Sequence, residues 1–460
     1  MAKKSIRLSL IAAACTLLIP ATQVSAMSLL QAYDAALQND PVYRSAISEN
    51  IAGQEYKVMG RSGLLPSAQY SYSTGKNKAE IFTPNPYYNP DGTAAIQKDK
   101  ENVTRPDYTS ISYGLSVRQT LFNLDATARY RQGIAQTNYS DAVFNSRAQD
   151  LIVRLLSAYA DTKYAEDQLN LYTAQRNAYA EQKRINDRMF EKGEGTRTDM
   201  LETQAKLDVS EAMLIEAADN LTNARNALAA IVGKEITNLD GFSGEFKQTL
   251  LSPSRFEEWK SIATESNPEL AAGRYALEAS EQEINKARAG HAPRLDLNAS
   301  FSRSVSDSIS TYTQDSTVRS IGVQLVIPIY SGGYVNAASN QAVANRDKAR
   351  ADLDATTNKV MIELRKQFNA VQTVITKMSA LEKSVNSASL LVEATKQSVK
   401  GGVRINVDVL NAEQQLVAAK RDLAQARYNY LISFLKLRAA AGTLNIGDLR
   451  TVAGYFSPAN

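Results

Sequence analysis

Residue types that do chemistry are scarce in this chain, and those present stand alone. The one histidine, His291, has no second histidine or cysteine beside it, so the ligand clusters that hold zinc are missing and no metal site is expected. The one cysteine, Cys15, lies inside an apolar run. No nucleophile motif or phosphate loop occurs, "SGG" at 331 to 333 being too short to count, so neither a cofactor nor an enzyme activity is expected. What remains is a pair of acids. Asp199 follows the turn "KGEGTR" and Asp408 follows "KGGVRIN", which also carries Arg404. Each acid begins a helix after a turn, where a carboxylate can cap free amide groups, and Glu202 completes a capping box with Asp199.

Matching acids in matching turns imply matching elements around them. "NDP" at 39 to 41 answers "SNP" at 266 to 268, and Pro66 answers Pro293, both at a spacing of 227. "QTLFN" at 119 to 123 answers "IPIYS" at 327 to 331 at a spacing of 208, so the first copy holds a longer loop between its strands. Asp199 answers Asp408 and Gly233 answers Gly442 at 209. The chain reads as a tandem duplication. Each copy runs helix, strand, loop, strand, very long helix, short turn, helix. The first repeat is expected over 27–233, with a helix over 28–62, a strand hairpin over 66–122 around a loop at 75–107, a long helix over 125–192 and a helix over 199–232. The second is expected over 263–442, with its hairpin at 293–328 and helices at 333–400 and 407–441. Segments 234–262 and 443–460 fit neither pattern and are expected to form a belt about the middle.

A helix as long as 125–192 spans about 100 Å at 1.5 Å per residue, the length of two flanking helices laid end to end. The shorter helices carry repeating seams in which large and small residues alternate at 3,4 spacing. Val409, Ala412, Leu416, Ala419 and Leu423 have the counterparts Met200, Thr203, Leu207, Ser210 and Leu214. A long cylinder of helices follows, with strands leaving one end and the two turns at the other.

The strands have period two. Ile111, Tyr113, Leu115 and Val117 alternate with Ser112, Gly114 and Ser116, and Ile321, Val323, Leu325 and Ile327 alternate with Ser320, Gly322 and Gln324. Apolar outside and polar inside is the pattern of an outer-membrane strand. A sheet in hydrocarbon must close, because unpaired edge groups are costly there, and four strands are too few. Several chains must share one barrel, and three copies would supply twelve strands.

The N-terminus fits export to such a place. Lys3, Lys4 and Arg7 precede an apolar run from Leu8 to Ile19 and "VSA" at 24 to 26, the build of a cleaved signal peptide over 1–26. Lipidation at Cys15 is the rival reading, disfavoured because the apolar run continues past it. Losing three basic residues and no acid takes the formal charge from +4 to +1, which gives no support to a nucleic-acid partner.

The stretches "GHAPRLDLNAS", "IPIYSGG", "VDVLNAEQQL" and "AKRDLAQARYNYLISFLKLRAAAGTLN" resemble the TolC family of trimeric outer-membrane channel-tunnels, over essentially the whole mature chain. "KGEGTRTDMLETQ" is similar to the type I secretion branch. The resemblance implies a mainly α fold with a small β part, a coiled-coil tunnel in the periplasm of a Gram-negative bacterium, and four strands per protomer in a 12-stranded trimeric barrel. It also implies partners: a periplasmic adaptor, an inner-membrane ABC transporter or other efflux transporter, a secreted protein as cargo, and outer-membrane lipid. By motif position the periplasmic gate falls on Arg404 facing Thr198 and Asp199. An acidic constriction ring maps on Asp408, with Asn411 where a second acid would stand and Val399 where a tyrosine is often found. A trimer would then hold three ring carboxylates rather than six. The turn residues Lys192, Gly193, Glu194, Gly195, Lys400, Gly401 and Gly402 lie farthest from the strands and are expected to dock the adaptor, with Gly193 and Gly195 at positive φ. Protein export is the leading function. Multidrug or toxic-ion efflux is the alternative within the same architecture, and an envelope scaffold or adhesion protein is the alternative of another class.

Overall fold

The computed structural model describes residues 26–242, 246, 251–306 and 314–457. The signal segment expected over 1–26 lies outside them except for Ala26. Helices dominate. Chain order is α1 (Leu29–Asn39), α2 (Pro41–Ser62), β1 (Ser67–Lys78), β2 (Ile81–Tyr88), β3 (Ala94–Thr104), β4 (Asp107–Phe122), α3 (Leu124–Glu191), α4 (Arg197–Val232), and β5 (Gly241–Phe242). Then follow α5 (Phe256–Ser266), α6 (Pro268–Arg288), β6 (Arg294–Ser306), β7 (Gln314–Val326), α7 (Tyr334–Lys400), α8 (Asn406–Ala440), α9 (Ile446–Ala453) and β8 (Phe456–Ser457).

Two expectations need correction. The single helix read over 28–62 is two helices, because Pro41 has no amide to continue the ladder and instead opens α2 at its first position. Asp40 caps that new start, accepting from the Tyr43 amide at 2.6 Å, and Asn267 before Pro268 does the same for α6 with the amides of Glu269 and Leu270. The loop read over 75–107 is mostly strand: β1 and β4 run on to Lys78 and Asp107, and β2 and β3 form a second antiparallel hairpin beyond them.

The 68 residues of α3 and the 67 of α7 are the two long struts. Near the strands α3 packs on α2 and α6, and toward the turns on α4 and α8, while α7 packs on α6 and then α8. Contact on the strand side is backbone-close: a Cβ on Gly133 of α3 would stand 2.4 Å from the Tyr56 carbonyl oxygen of α2. The expected seams are the packed faces, with Val409, Ala412, Ala419 and Leu423 buried in α8, and Thr203, Leu207, Ser210 and Ala217 in α4.

Most of the core lies at mid-length, where the belt segments close over the struts. Leu151, Leu155, Leu156 and Tyr159 of α3, Leu364, Val371 and Met378 of α7, and Leu431 and Leu435 of α8 meet Trp259 of α5, Leu449 and Val452 of α9, and Phe456 of β8. A fully buried leucine contributes about 1.5–3 kcal/mol, so this cluster fastens the belt. Trp259 is 1% exposed and its indole N–H donates to the Pro253 carbonyl at 2.7 Å. β5 pairs with β8, and Met27 bridges to Leu239, so the first and last described segments join the belt.

The main sheet has the order β1-β4-β6-β7, antiparallel throughout. Thus β4 of the first half pairs with β6 of the second, and β1 and β7 are left as edges. Among the described residues no helix is long and apolar enough to cross a membrane.

Candidate functional site

The two turns at the far end of the helical hairpins are built alike, position for position. In the first, the Gly193 amide donates to Phe190 O, and the amides of Glu194 and Gly195 both donate to Met189 O. In the second, Gly402 donates to Val399 O, and Val403 and Arg404 both donate to Ser398 O. Gly193 and Gly402 hold φ at +76° and +73°, the left-handed conformation that closes a helix C-terminus and suits only glycine well. Gly195 is not at positive φ, contrary to expectation. Its constraint is space, since a Cβ there would lie 3.2 Å from Met189 Cβ. Lys192 and Gly401 are the helix-end residues beside these glycines, Lys400 ends α7, and Lys192, Gly193, Glu194, Lys400, Gly401 and Gly402 are all exposed.

The capping expectation also changes. Thr196, not Asp199, is the N-cap of α4: its hydroxyl accepts from the Asp199 amide at 3.1 Å, while the Asp199 carboxylate accepts from the same hydroxyl at 2.7 Å. Glu202 takes no part in it. The equivalent N-cap of α8 is Ile405, which has no side chain able to cap, so Asp408 stands in a first turn whose amides lack a side-chain acceptor. The carboxylate still interacts favourably with the helix N-terminus. Thr198 is exposed on the first turn of α4 and Arg404 is exposed on the second turn, with no ion-pair partner among the described residues. Within one chain, then, Arg404 is not joined to Thr198 or Asp199. Asn411 is engaged, its side-chain oxygen accepting from Lys206 Nζ of α4 at 3.2 Å, and Gln414 accepts from the same nitrogen at 2.8 Å.

A buried polar tie just above the turns was not read from the sequence. Asn186 of α3 is 3% exposed, donates to Thr203 Oγ1 at 2.7 Å, and accepts from Asn406 Nδ2 at 3.0 Å and from Gln182 at 3.0 Å. It joins α3, α4 and the start of α8, and so locks the two turns of a protomer together. Thr203, a polar residue on the seam nearest the turn, is the sign of it in the sequence. One further step toward the belt, Tyr179 donates to the Leu410 carbonyl at 3.4 Å, and Tyr179, Lys206, Met213 and Leu410 line a groove of 470 Å³ between α4 and α8.

At the opposite end, register sorts the strand residues by face. Tyr70, Leu115 and Phe301 lie abreast, as do Leu297 and Val323, on a face where Ile321 is 76% and Tyr70 66% exposed. The other face carries Ser116, Ser300 and Ser320 abreast, an Asn298 to Gln324 hydrogen bond at 3.3 Å, and the Arg118–Asp296 ion pair across β4 and β6. Toward the β6–β7 connection the apolar face ends in charge, where Arg303 pairs with Asp315 at 2.7 Å and reaches the Tyr113 hydroxyl at 3.4 Å.

A sheet that is apolar on one face, polar on the other and open at both edges, carried on helical struts about 100 Å long, defines a membrane channel whose wall continues as a helical tube. The family model described as outer membrane efflux protein matches residues 32–234 and 259–443, and the chain belongs to that family. Its place is the outer membrane, with the helical part in the periplasm; members of the family are channel proteins. The chain is similar to alkaline protease secretion protein AprF of Pseudomonas aeruginosa, 40% identical over 433 residues, which cover 94% of this chain and 88% of the relative. It is also similar to proteases secretion protein PrtF of Dickeya chrysanthemi, 38% identical, covering 94% and 92%. Its fold matches that of the Campylobacter jejuni CmeC outer membrane channel with a TM-score of 0.76 at 19% identity, covering 93% and 90%.

Proposed function

We propose that this chain is the outer-membrane exit duct of a tripartite export system for proteins, of the type I secretion kind. Three copies close a 12-stranded barrel, and their helices form one tunnel. An inner-membrane ABC transporter drives the cargo and a periplasmic adaptor joins transporter to duct. The observation that carries the reading is the four-stranded sheet, whose outward face is apolar and exposed while β1 and β7 have each one neighbour only among the described residues. Such edges cannot stay unpaired in hydrocarbon. Relatives named for protease secretion support a protein cargo.

The same reading assigns roles along the chain. Residues 1–26 direct export, 27–233 and 263–442 are the two repeats, and 234–262 with 443–460 are the belt. The exposed turns Lys192 to Gly195 and Lys400 to Gly402, with the groove beside them, dock the adaptor. The gate lies at the same end: Arg404 of one copy links to Thr198 and Asp199 of a neighbour when three tips converge, and Asp408 supplies a ring of three carboxylates that favours cations. Efflux of small molecules through the same duct is the second reading, favoured by the family's description as efflux proteins. The duct is tested by extracting the protein in detergent, measuring particle mass by light scattering and recording in planar bilayers. A trimer with discrete conductance is expected, and an ion-impermeable monomer would end the proposal. Cargo class is tested by deleting the chain in its host, where loss of an extracellular protein, with drug sensitivity unchanged, favours secretion over efflux.

A further inference from the structure

The apolar face of the sheet carries two arginines that neither the duct nor the gate uses. Along β6 and β7 the row of Leu297, Ala299, Ile321 and Val323 gives way to Arg303 and Arg319, both exposed. Register fixes their side. Arg303 stands opposite Tyr113 and Thr317, in a row that Tyr72 completes. Arg319 stands opposite Phe301 in the next row toward the helices, which Leu115 and Tyr70 complete. The two arginines are therefore diagonal neighbours across one strand pair, roughly 7–8 Å apart at the backbone.

They are held differently. Arg303 is fixed: Nε donates to Asp315 Oδ1 at 3.0 Å, Nη2 donates to Oδ2 at 2.7 Å, and Nη1 reaches the Tyr113 hydroxyl at 3.4 Å. Arg319 has no ion-pair partner among the described residues, and its guanidinium lies 5.8 Å from the centroid of the Phe301 ring. Farther from the helices the same face carries Lys76 and Lys78 on β1, with Asp107 3.7 Å from Lys78. Arg303, Arg319, Lys76 and Lys78 thus face Asp315 and Asp107 alone, an excess of cations at one rim of the apolar face.

The height of that rim matches the edge of a membrane. Ile327, just beyond the helix-side end of β7, is exposed on the same face. At 3.4 Å per residue and a tilt of about 40°, Arg319 lies about 21 Å above it and the Arg303 row about 26 Å, where an outer-membrane apolar band of ~25 Å ends. An arginine on the lipid face is costly at mid-depth and nearly free at such an edge. Because the helices are in the periplasm, this edge meets the outer leaflet, whose lipids carry phosphate on sugar headgroups. Guanidinium groups match phosphate oxygens in geometry and charge, and an anion between the two arginines relieves their mutual repulsion.

We infer that Arg319 and Arg303 form a site for the phosphate of an outer-leaflet glycolipid, with Tyr70, Tyr72 and Phe301 against its sugar and first methylenes. Arg319 makes the principal contact, since Asp315 already takes two of the Arg303 donors. The inference rests on the sheet lying in the outer membrane and needs neither a cargo nor a partner protein.

The full-length protein is purified in detergent, and the lipid it keeps is counted by native mass spectrometry after adding diphosphorylated lipid A, the same lipid without its phosphates, or phosphatidylglycerol. The diphosphorylated form should be kept roughly tenfold more strongly than either of the others, and Arg319→Gln should remove most of that preference. Arg319→Lys, which keeps the charge without the fork, should retain part of it. Arg346→Gln, an equal charge change at the ion pair with Asp347 on α7, should match wild type. Equal retention of the dephosphorylated lipid by the unsubstituted protein, or unchanged preference in Arg319→Gln, overturns the site. Equal retention of phosphatidylglycerol, or displacement by inorganic phosphate at the concentration of the lipid, overturns the glycolipid assignment. Particle mass in the same spectra reports the trimer separately: a monomer that keeps the preference overturns the duct alone, and a trimer without it overturns the site alone.

Discussion

At the tip, single side chains carry the argument. Arg404 is exposed and has no ion-pair partner among the described residues, so the latch proposed for it is with another copy. One solvent-exposed pair is worth only ~0–1 kcal/mol, but three acting together can bias opening by up to about 150-fold. Arg404→Ser should therefore lengthen open lifetimes or raise conductance in planar bilayers without changing trimer stability, and recordings identical to wild type would remove Arg404 from the gate. At Asp199 the observed contact with Thr196 can be separated from the proposed gate link. Because Thr196 is the cap and Asp199 its partner, Thr196→Ala should lower the stability of the α4 start by about 1 kcal/mol, seen as faster hydrogen exchange at residues 197–200. Asp199→Asn keeps an oxygen that can accept from the Thr196 hydroxyl. It should spare that exchange protection while loosening the gate in bilayer recordings.

At the scale of helices, buried polar groups hold the struts in register. Asn186→Ala leaves the Asn406 amide without its acceptor beneath the tip, at a cost of about 1–3 kcal/mol, and should free the two turns from each other. Raised hydrogen exchange at the starts of both α4 and α8, with unchanged protection in the belt, is the expected signature. A second polar contact joins α8 to α3 at the level of the belt, where the Tyr428 hydroxyl donates to Asp167 Oδ2 at 2.6 Å. Burial pushes the Asp167 carboxyl above its usual 3.8, and the Tyr428 hydrogen bond and the nearby Lys163 offset this only in part. A carboxyl with a raised folded pKa holds its proton longer when folded than when unfolded. Its effect is a loss of stability as pH rises from about 3.8 through the raised value, complete above it. Asp167→Asn should flatten that part of the stability profile, read as the midpoint of thermal unfolding against pH. An equally steep profile in the variant would show that other groups set it.

For the whole molecule, the sheet and the two turns lie at opposite ends, and the proposed function gives them different work. The turns are the part farthest from the sheet, so their conformation should matter for docking and not for assembly. Nothing lies within 4 Å of a Cβ at Gly193, yet its φ of +76° makes Gly193→Val unfavourable by roughly 1–2 kcal/mol through the backbone alone. Gly193→Val combined with Gly402→Val should leave the trimer and its conductance intact while lowering export. The measurement is cargo in the medium beside trimer in the membrane fraction, and unimpaired secretion would place the adaptor elsewhere.

Much of this architecture is local, and local patterns are written in the chain. The 3,4 seams set the helices of the walls, and the period-two strands with polar and apolar faces set the sheet, because each depends only on side chains a few residues apart. Proline also acts locally, so the break at Asp40–Pro41 was present in "NDP", although the helical pattern on either side concealed it. The extra hairpin β2–β3 was hidden for the opposite reason, since Pro84, Pro86 and Pro90 made strand sequence look like loop. The two turns could be placed from their glycines, but not their capping, which depends on whether residue 196 or 199 ends in the extended conformation. The Asn186 tie, the Tyr428 contact with Asp167, 261 positions away, and the closure of the belt over Trp259 join residues far apart in the chain. Such pairs are chosen by which faces the packed helices bring together, a distance that periodicity along one chain does not encode. Tertiary structure alone decided them, whereas the need for more than one chain was already present in the sequence, because four strands cannot close a barrel.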